Sequence, residues 1–187
     1  MLDPDAPPTS AALSVSALII YALVTLMGLV VMRWQDIEVV PAVFGASDAD
    51  LRVHAALGIG AGLALVGVTR ALSGWAPMRA LEELVRESLG RPGSVAIIVL
   101  AVTSAVGEEI LFRGALQPLL GFWMTALLFG LMHGGTMRRF RAWVVFAILA
   151  GLLFGALASF TGDLLAPTLC HFTVNYFNLH RLARLEP

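Results

Sequence analysis

The chain of 187 residues has no lysine at all; its twelve basic residues are all arginine, set against thirteen acidic ones for a formal net charge of -1. A near-neutral chain exerts no long-range pull on polyanions, which argues against nucleic acid or a strongly anionic surface as its main partner. Only one cysteine is present, Cys170, so no intrachain disulfide can form. Charged residues are scarce at 13%, while 58% are hydrophobic and the mean hydropathy is +0.84. That balance excludes an ordinary soluble domain and leaves room for roughly six membrane-spanning helices of about 20 residues. The N-terminal MLDPDAPPTSAALS lacks the basic region of a cleavable signal, so the first apolar run is expected to stay as an anchor.

The chain reads as a single all-α polytopic transmembrane helix bundle, residues 1–187, with a flexible leader over 1–10. Spans are expected at Ala11–Met32, Leu51–Leu72, Ser94–Leu120, Phe122–His133, Trp143–Phe160 and Leu164–Leu179, separated by an acidic loop from Gln35 to Asp50 and by Gly and Pro punctuation. Ser94 is a candidate N-cap. Gly58, Gly60, Gly62 and Gly67 permit close packing of the second span. Residues 75–89 differ in kind: Leu81, Leu84, Val85 and Leu89 recur at helical spacing opposite charged residues, which predicts an amphipathic helix on the membrane surface. Its Glu82 and Glu83 read as a solvated face, with Arg86 as the i,i+4 partner of Glu82.

Arginine placement suggests a cytoplasmic N-terminus, with nine of the loop and terminal arginines inside and only Arg33 and Arg52 outside; a bacterial inner membrane is the expected location.

Against this apolar background, SAVGEEILFRGALQ, residues 104–117, is costly: Glu108, Glu109 and Arg113 lie within a span, where ionisable groups persist mainly by pairing and by function. Glu109 and Arg113 are spaced i,i+4 on one helix face and can neutralise each other, whereas Glu108 points about 100° away. Measured at 1.5 Å per residue from the outer ends of their spans, Glu108 lies at ~18 Å, His133 at ~17 Å, His171 at ~12 Å and Asn175 at ~18 Å. These depths let one pocket collect all four from three segments. Glu108 with His133 suits general-base activation of water. His171 and Asn175, again i,i+4, can donate hydrogen bonds to a developing oxyanion.

Three short motifs sit on successive apolar spans: EExxxR at Glu108, Glu109 and Arg113, FxxxH at Phe129 and His133, and HxxxN at His171 and Asn175. In these residues and their order the chain resembles the CAAX-protease and bacteriocin-processing (CPBP) group of intramembrane endopeptidases. The resemblance implies a helical membrane fold and cleavage of a peptide bond. It casts Glu108 and His133 as the water-activating pair, His171 and Asn175 as oxyanion donors, and Glu109 with Arg113 as support. The implied substrate is a peptide or protein in or at the bilayer, with a hydrophobic or lipidated C-terminus as one form.

Blander expectations attach to other residues. His54 and His180 read as interfacial. Cys170 reads as a small apolar filler, because adjacent helix positions diverge too far for it to pair with His171. Phe122, Trp123, Phe172, Tyr176 and Phe177 read as packing and interface anchors, and Phe129 alone among the aromatics as a pocket wall. No cofactor is expected. Zn2+ held by Glu108, His133 and His171 is the alternative, although the HExxH spacing is absent. Two other functions compete: a proton-coupled transporter, since carboxylate and histidine chains also relay protons, and a non-catalytic immunity or binding protein of the same fold.

Overall fold

The structure is a computed structural model that describes residues 9–39, 48–135 and 138–184, without the side chains of 48–50 and 139. Residues 1–8 of the expected leader and half of the acidic loop fall outside these residues; Thr9 and Ser10 of the leader belong to the start of the first helix.

Each apolar run becomes a helix, and no strand occurs among the described residues. Helix α1 covers Ser10–Trp34, with the Thr9 side chain capping it by accepting from the Ala12 amide at 3.2 Å. Helix α2 is Asp48–Ala71 and α3 is Ala76–Leu89. Helix α4 starts at Ser94, is α-helical to Glu109, widens to π-helical over Ile110–Leu116, and closes with one α-turn, Gln117–Leu120. Gly121, at φ 81°, then reverses the chain into α5, Phe122–Met132. After a 3-10 turn at Arg138–Phe140 come α6, Arg141–Thr161, and α7, Leu165–Leu182.

Four of these helices, α1, α2, α4 and α6, are long and apolar enough to cross a membrane. The other two expected spans differ for physical reasons. With eleven residues, α5 reaches only about 16 Å. Helix α7 has 18 residues, but His171, Asn175, Asn178, His180 and Arg181 reduce its apolarity. Leu18, Ile19, Leu23, Leu26 and Val30 of α1 are exposed, as a lipid-facing surface requires. Helix α4 is the inner one: 56% of its apolar window is buried, against 17% in α1 and in α2.

Small residues set how the helices meet. A Cβ on Gly58 would stand within 3.0 Å of the Ala166 backbone, and one on Gly62 would lie 2.9 Å from the Cys170 carbonyl, so these two glycines dock α2 on α7. Gly60 and Gly67 face open space. Only half of the expected glycine set therefore packs, and it is the pair at i,i+4. In the same way Gly28 and Gly107 bring α1 against α4, and Gly130 brings α5 against α6. Cys170 is completely buried in the main core, beside Phe129, Ala150 and Phe154.

Three local expectations are corrected. Gly93, not Ser94, occupies the N-cap position of α4, and its amide is satisfied by Ser10 Oγ of α1 at 2.9 Å. His54 is not a lone interfacial residue: its Nδ1 lies 2.5 Å from Asp163 Oδ2, while Asp163 Oδ1 accepts from the Leu165 amide at 3.0 Å. The buried aspartate thus starts α7 and ties it to α2. Glu82 does not join a solvated face, because its carboxylate takes two bonds from Arg181 on α7, at 2.8 and 2.9 Å. The amphipathic pattern of α3 itself is present, with Met78, Leu81 and Leu84 turned inward.

Candidate functional site

The π-helical segment begins directly after the two glutamates. A π turn adds a residue per hydrogen-bonded ring and widens the helix, a distortion found often at functional sites. Across it, Arg113 Nη1 still reaches Glu109 Oε1 at 3.0 Å, and both side chains are fully buried. Arg113 Nη2 donates to the Gly151 carbonyl of α6 at 3.0 Å, and one turn later Gln117 donates to the Gly155 carbonyl at 3.1 Å. This polar clasp fastens α4 to α6. The guanidinium also lies over the Phe129 ring, 4.4 Å from its centroid, with Phe154 at 5.3 Å and Phe112 at 5.8 Å. Aromatic faces and a carboxylate replace water around the buried cation.

Glu109 has a second partner. His171 Nδ1 lies 2.8 Å from the same Oε1, and the imidazole stacks on Phe154 at 4.7 Å with the planes 17° apart. With Nδ1 directed to Glu109, Nε2 faces Glu108, 3.9 Å from Oε2. His133, just past the end of α5, is aimed in the same manner. Its Nδ1 lies 2.7 Å from the Phe129 carbonyl, which can only accept, so that nitrogen carries hydrogen; Nε2 stands 3.6 Å from Glu108 Oε2. Two imidazoles on different helices therefore converge on one carboxylate oxygen.

Asn175 is one turn beyond His171 and donates Nδ2 to Ser104 Oγ of α4 at 2.9 Å. One amide N–H remains for another acceptor. Glu108, His133, His171, Asn175 and Ser104 share a cavity of about 250 Å³, with Met78, Leu81 and Val85 of α3 among its apolar walls. Side-chain exposure is graded along the polar wall: 0% at Glu109 and Arg113, 4% at His171, 11% at Glu108 and 21% at His133. The paired charges lie at the dry end. The carboxylate with the looser contacts lies at the wetter end.

All six expected polar residues, and Phe129, are thus brought together. Sequence spacing missed the Glu109–His171 bond, the support from Ser104 and Gly151, and Tyr21 of α1, which also lines the cavity. Nothing in the sequence singled out Tyr21, since Ser14, Ser16 and Thr25 place other hydroxyls in the same apolar run.

Zn2+ fits this arrangement poorly. Tetrahedral zinc at 2.0–2.1 Å from its donors would place those donors roughly 3.4 Å apart. His171 Nε2 is 3.9 Å from Glu108 Oε2, and no group of three His, Cys, Asp or Glu disposed to hold a metal occurs among the described residues.

Residues 91–177 match the family model described as type II CAAX prenyl endopeptidase Rce1-like. The matched segment is similar to that family over a little less than half of the chain. It contains all three motifs and runs from the turn before α4 into α7. The chain is also 35% identical over 81 residues to the uncharacterized protein YpbD of Bacillus subtilis (strain 168), a match spanning 42% of this chain and 41% of that protein. No solved structure matches the chain. With four helices long and apolar enough to cross a membrane, the chain is an integral membrane protein.

Proposed function

We propose that the chain is an intramembrane endopeptidase of the CAAX-protease type, hydrolysing a peptide bond in a membrane-associated substrate, with a C-terminal hydrophobic or lipidated segment as the favoured form. One observation carries the reading: Glu108 Oε2 faces the Nε2 atoms of His133 and His171, at 3.6 and 3.9 Å, in a cavity with apolar walls.

In this reading a water seated between Glu108 and His133 gives a proton to Glu108 as its oxygen attacks the scissile carbonyl carbon. The carbonyl π electrons move to oxygen. The oxyanion lies toward His171 Nε2, in its protonated form, and the free N–H of Asn175, which donate to it. Collapse of the tetrahedral adduct breaks the C–N bond, and Glu108 returns its proton to the leaving amine. Glu109 and Arg113 do not touch the substrate; they hold His171 and the α4–α6 clasp. The apolar walls from α3 and α6 take the hydrophobic part of the substrate. We place the N-terminus in the cytoplasm of a bacterial cell, with the inner membrane as the site of action.

The test is turnover by purified protein. A fluorogenic peptide with an apolar, prenylated C-terminal tail should be cleaved, and Glu108→Ala, His133→Ala and His171→Ala should each abolish cleavage while the protein stays folded. Full activity in Glu108→Ala would refute the mechanism.

A further inference from the structure

The Rce1-like match covers residues 91–177, yet polar side chains from outside it also line the cavity, and among them Tyr21 comes from the first helix. Tyr21 lies in the middle of α1, between the exposed Ile20 and Leu23 of a lipid-facing helix, but is itself only partly exposed and lines the cavity. Glu108 lines the same cavity, with the Tyr21 phenol within electrostatic reach of its carboxylate.

The backbone enforces that meeting. A Cβ on Gly107, the residue before Glu108, would stand 3.0 Å from both the Tyr21 carbonyl and Thr25 Oγ1, and 3.5 Å from Tyr21 Cβ. Thr25 Oγ1 in turn donates to the Tyr21 carbonyl at 2.6 Å. One of the two close approaches of α1 to α4 therefore falls where it brings Tyr21 against the residue before the glutamate.

Glu108 needs such a contact. Its Oε2 is buried without a hydrogen-bond partner, and its two imidazole neighbours are at 3.6 and 3.9 Å, beyond direct bonding. A carboxylate with nothing to fix its rotation would present either oxygen to the water. Building on the endopeptidase reading, we propose that Tyr21 is a positioning residue, its phenol bonding the Glu108 carboxyl so that Oε2 stays turned toward His133 and His171. The first helix would then complete the site as well as anchor it.

Two readouts test this, one independent of activity. Infrared difference spectra in detergent, with Glu108→Gln used to assign the Glu108 carboxyl band, should show that band displaced in Tyr21→Phe and unmoved in Tyr176→Phe. With a cleavable reporter peptide, Tyr21→Phe should lower kcat about tenfold or more while KM stays within twofold, because the ring still fills its place and only the aim of the base is lost. Should Tyr21→Phe fail to fold, fluorotyrosine at position 21 keeps the shape and changes only phenol acidity, and the same band should move. An unmoved Glu108 band, or a kcat within twofold of wild type, overturns the proposal. A wild type that cleaves nothing would instead remove the endopeptidase reading, with the band still deciding the Tyr21 contact.

Discussion

His171 Nδ1 and Glu109 Oε1 lie 2.8 Å apart, and that oxygen also accepts from Arg113 at 3.0 Å. One buried carboxylate thus neutralises a cation and orients an imidazole, joining α4 to α7. Its two duties can be separated. Glu109→Gln keeps the size but leaves Arg113 buried without a counter-ion, which should destabilise the protein by about 3–5 kcal/mol in detergent unfolding. It should also lower turnover about 100-fold by loosening His171. Adding Arg113→Met removes the orphaned charge and should restore most of the stability without restoring turnover. If the double variant regained activity, Glu109 would serve only to neutralise Arg113.

The glycines of α2 give a stability test free of the chemistry. A Cβ at Gly58 would lie 2.3 Å from the Ala166 carbonyl, whereas one at Gly60 would have nothing within 4 Å. Gly58→Ala should cost about 1–3 kcal/mol through overpacking. Gly60→Ala should be neutral or stabilise by up to about 1 kcal/mol through helix propensity. Thermal unfolding in detergent measures both, and equal shifts would mean that α2 and α7 do not pack at Gly58.

Glu82 and Arg181 fasten α3 over the cavity, and the lone native cysteine makes this easy to follow. Cys170 is fully buried, so a maleimide probe of Leu84→Cys, introduced on the inward face of α3, has low background. Labelling should rise several-fold when Glu82→Gln is added, as α3 loses its tie to α7. The exchange Glu82→Arg with Arg181→Glu should bring it down again. A labelling rate that ignores all three changes would show that apolar contacts alone hold α3.

Much of this was legible in the residues. Helix positions followed from apolar runs bounded by Gly and Pro, and the all-α membrane fold followed from composition. The i,i+4 pair of Glu109 and Arg113 keeps its contact even though the helix there is π-helical, because widening the turn moves the two ends little. Partners distant in sequence were not legible. Glu82 chooses Arg181 over the nearby Arg86, and His54 finds Asp163, because tertiary packing brings these groups together away from water. Local spacing carries no information on such meetings. Tyr21 was hidden for the same reason, since a tyrosine in an apolar run resembles any interface anchor until the opposing helix is seen.

The endopeptidase reading assigns activation of the water to protein groups and not to a bound metal. His133 is held at Nδ1 by the Phe129 carbonyl and His171 by Glu109, so both rings offer Nε2 to Glu108, yet the 3.9 Å separation at His171 is wide for a shared tetrahedral ion. A metal-free mechanism predicts that turnover by detergent-purified protein survives prolonged dialysis against EDTA and 1,10-phenanthroline with less than a twofold change in kcat. Elemental analysis of the same active sample should find well under one equivalent of zinc. Glu108→Gln should nonetheless be inactive, because the amide keeps the shape but cannot take the proton. Loss of activity on chelation, restored by one equivalent of Zn2+, would overturn this mechanism and require the two imidazoles to move closer to Glu108 on binding.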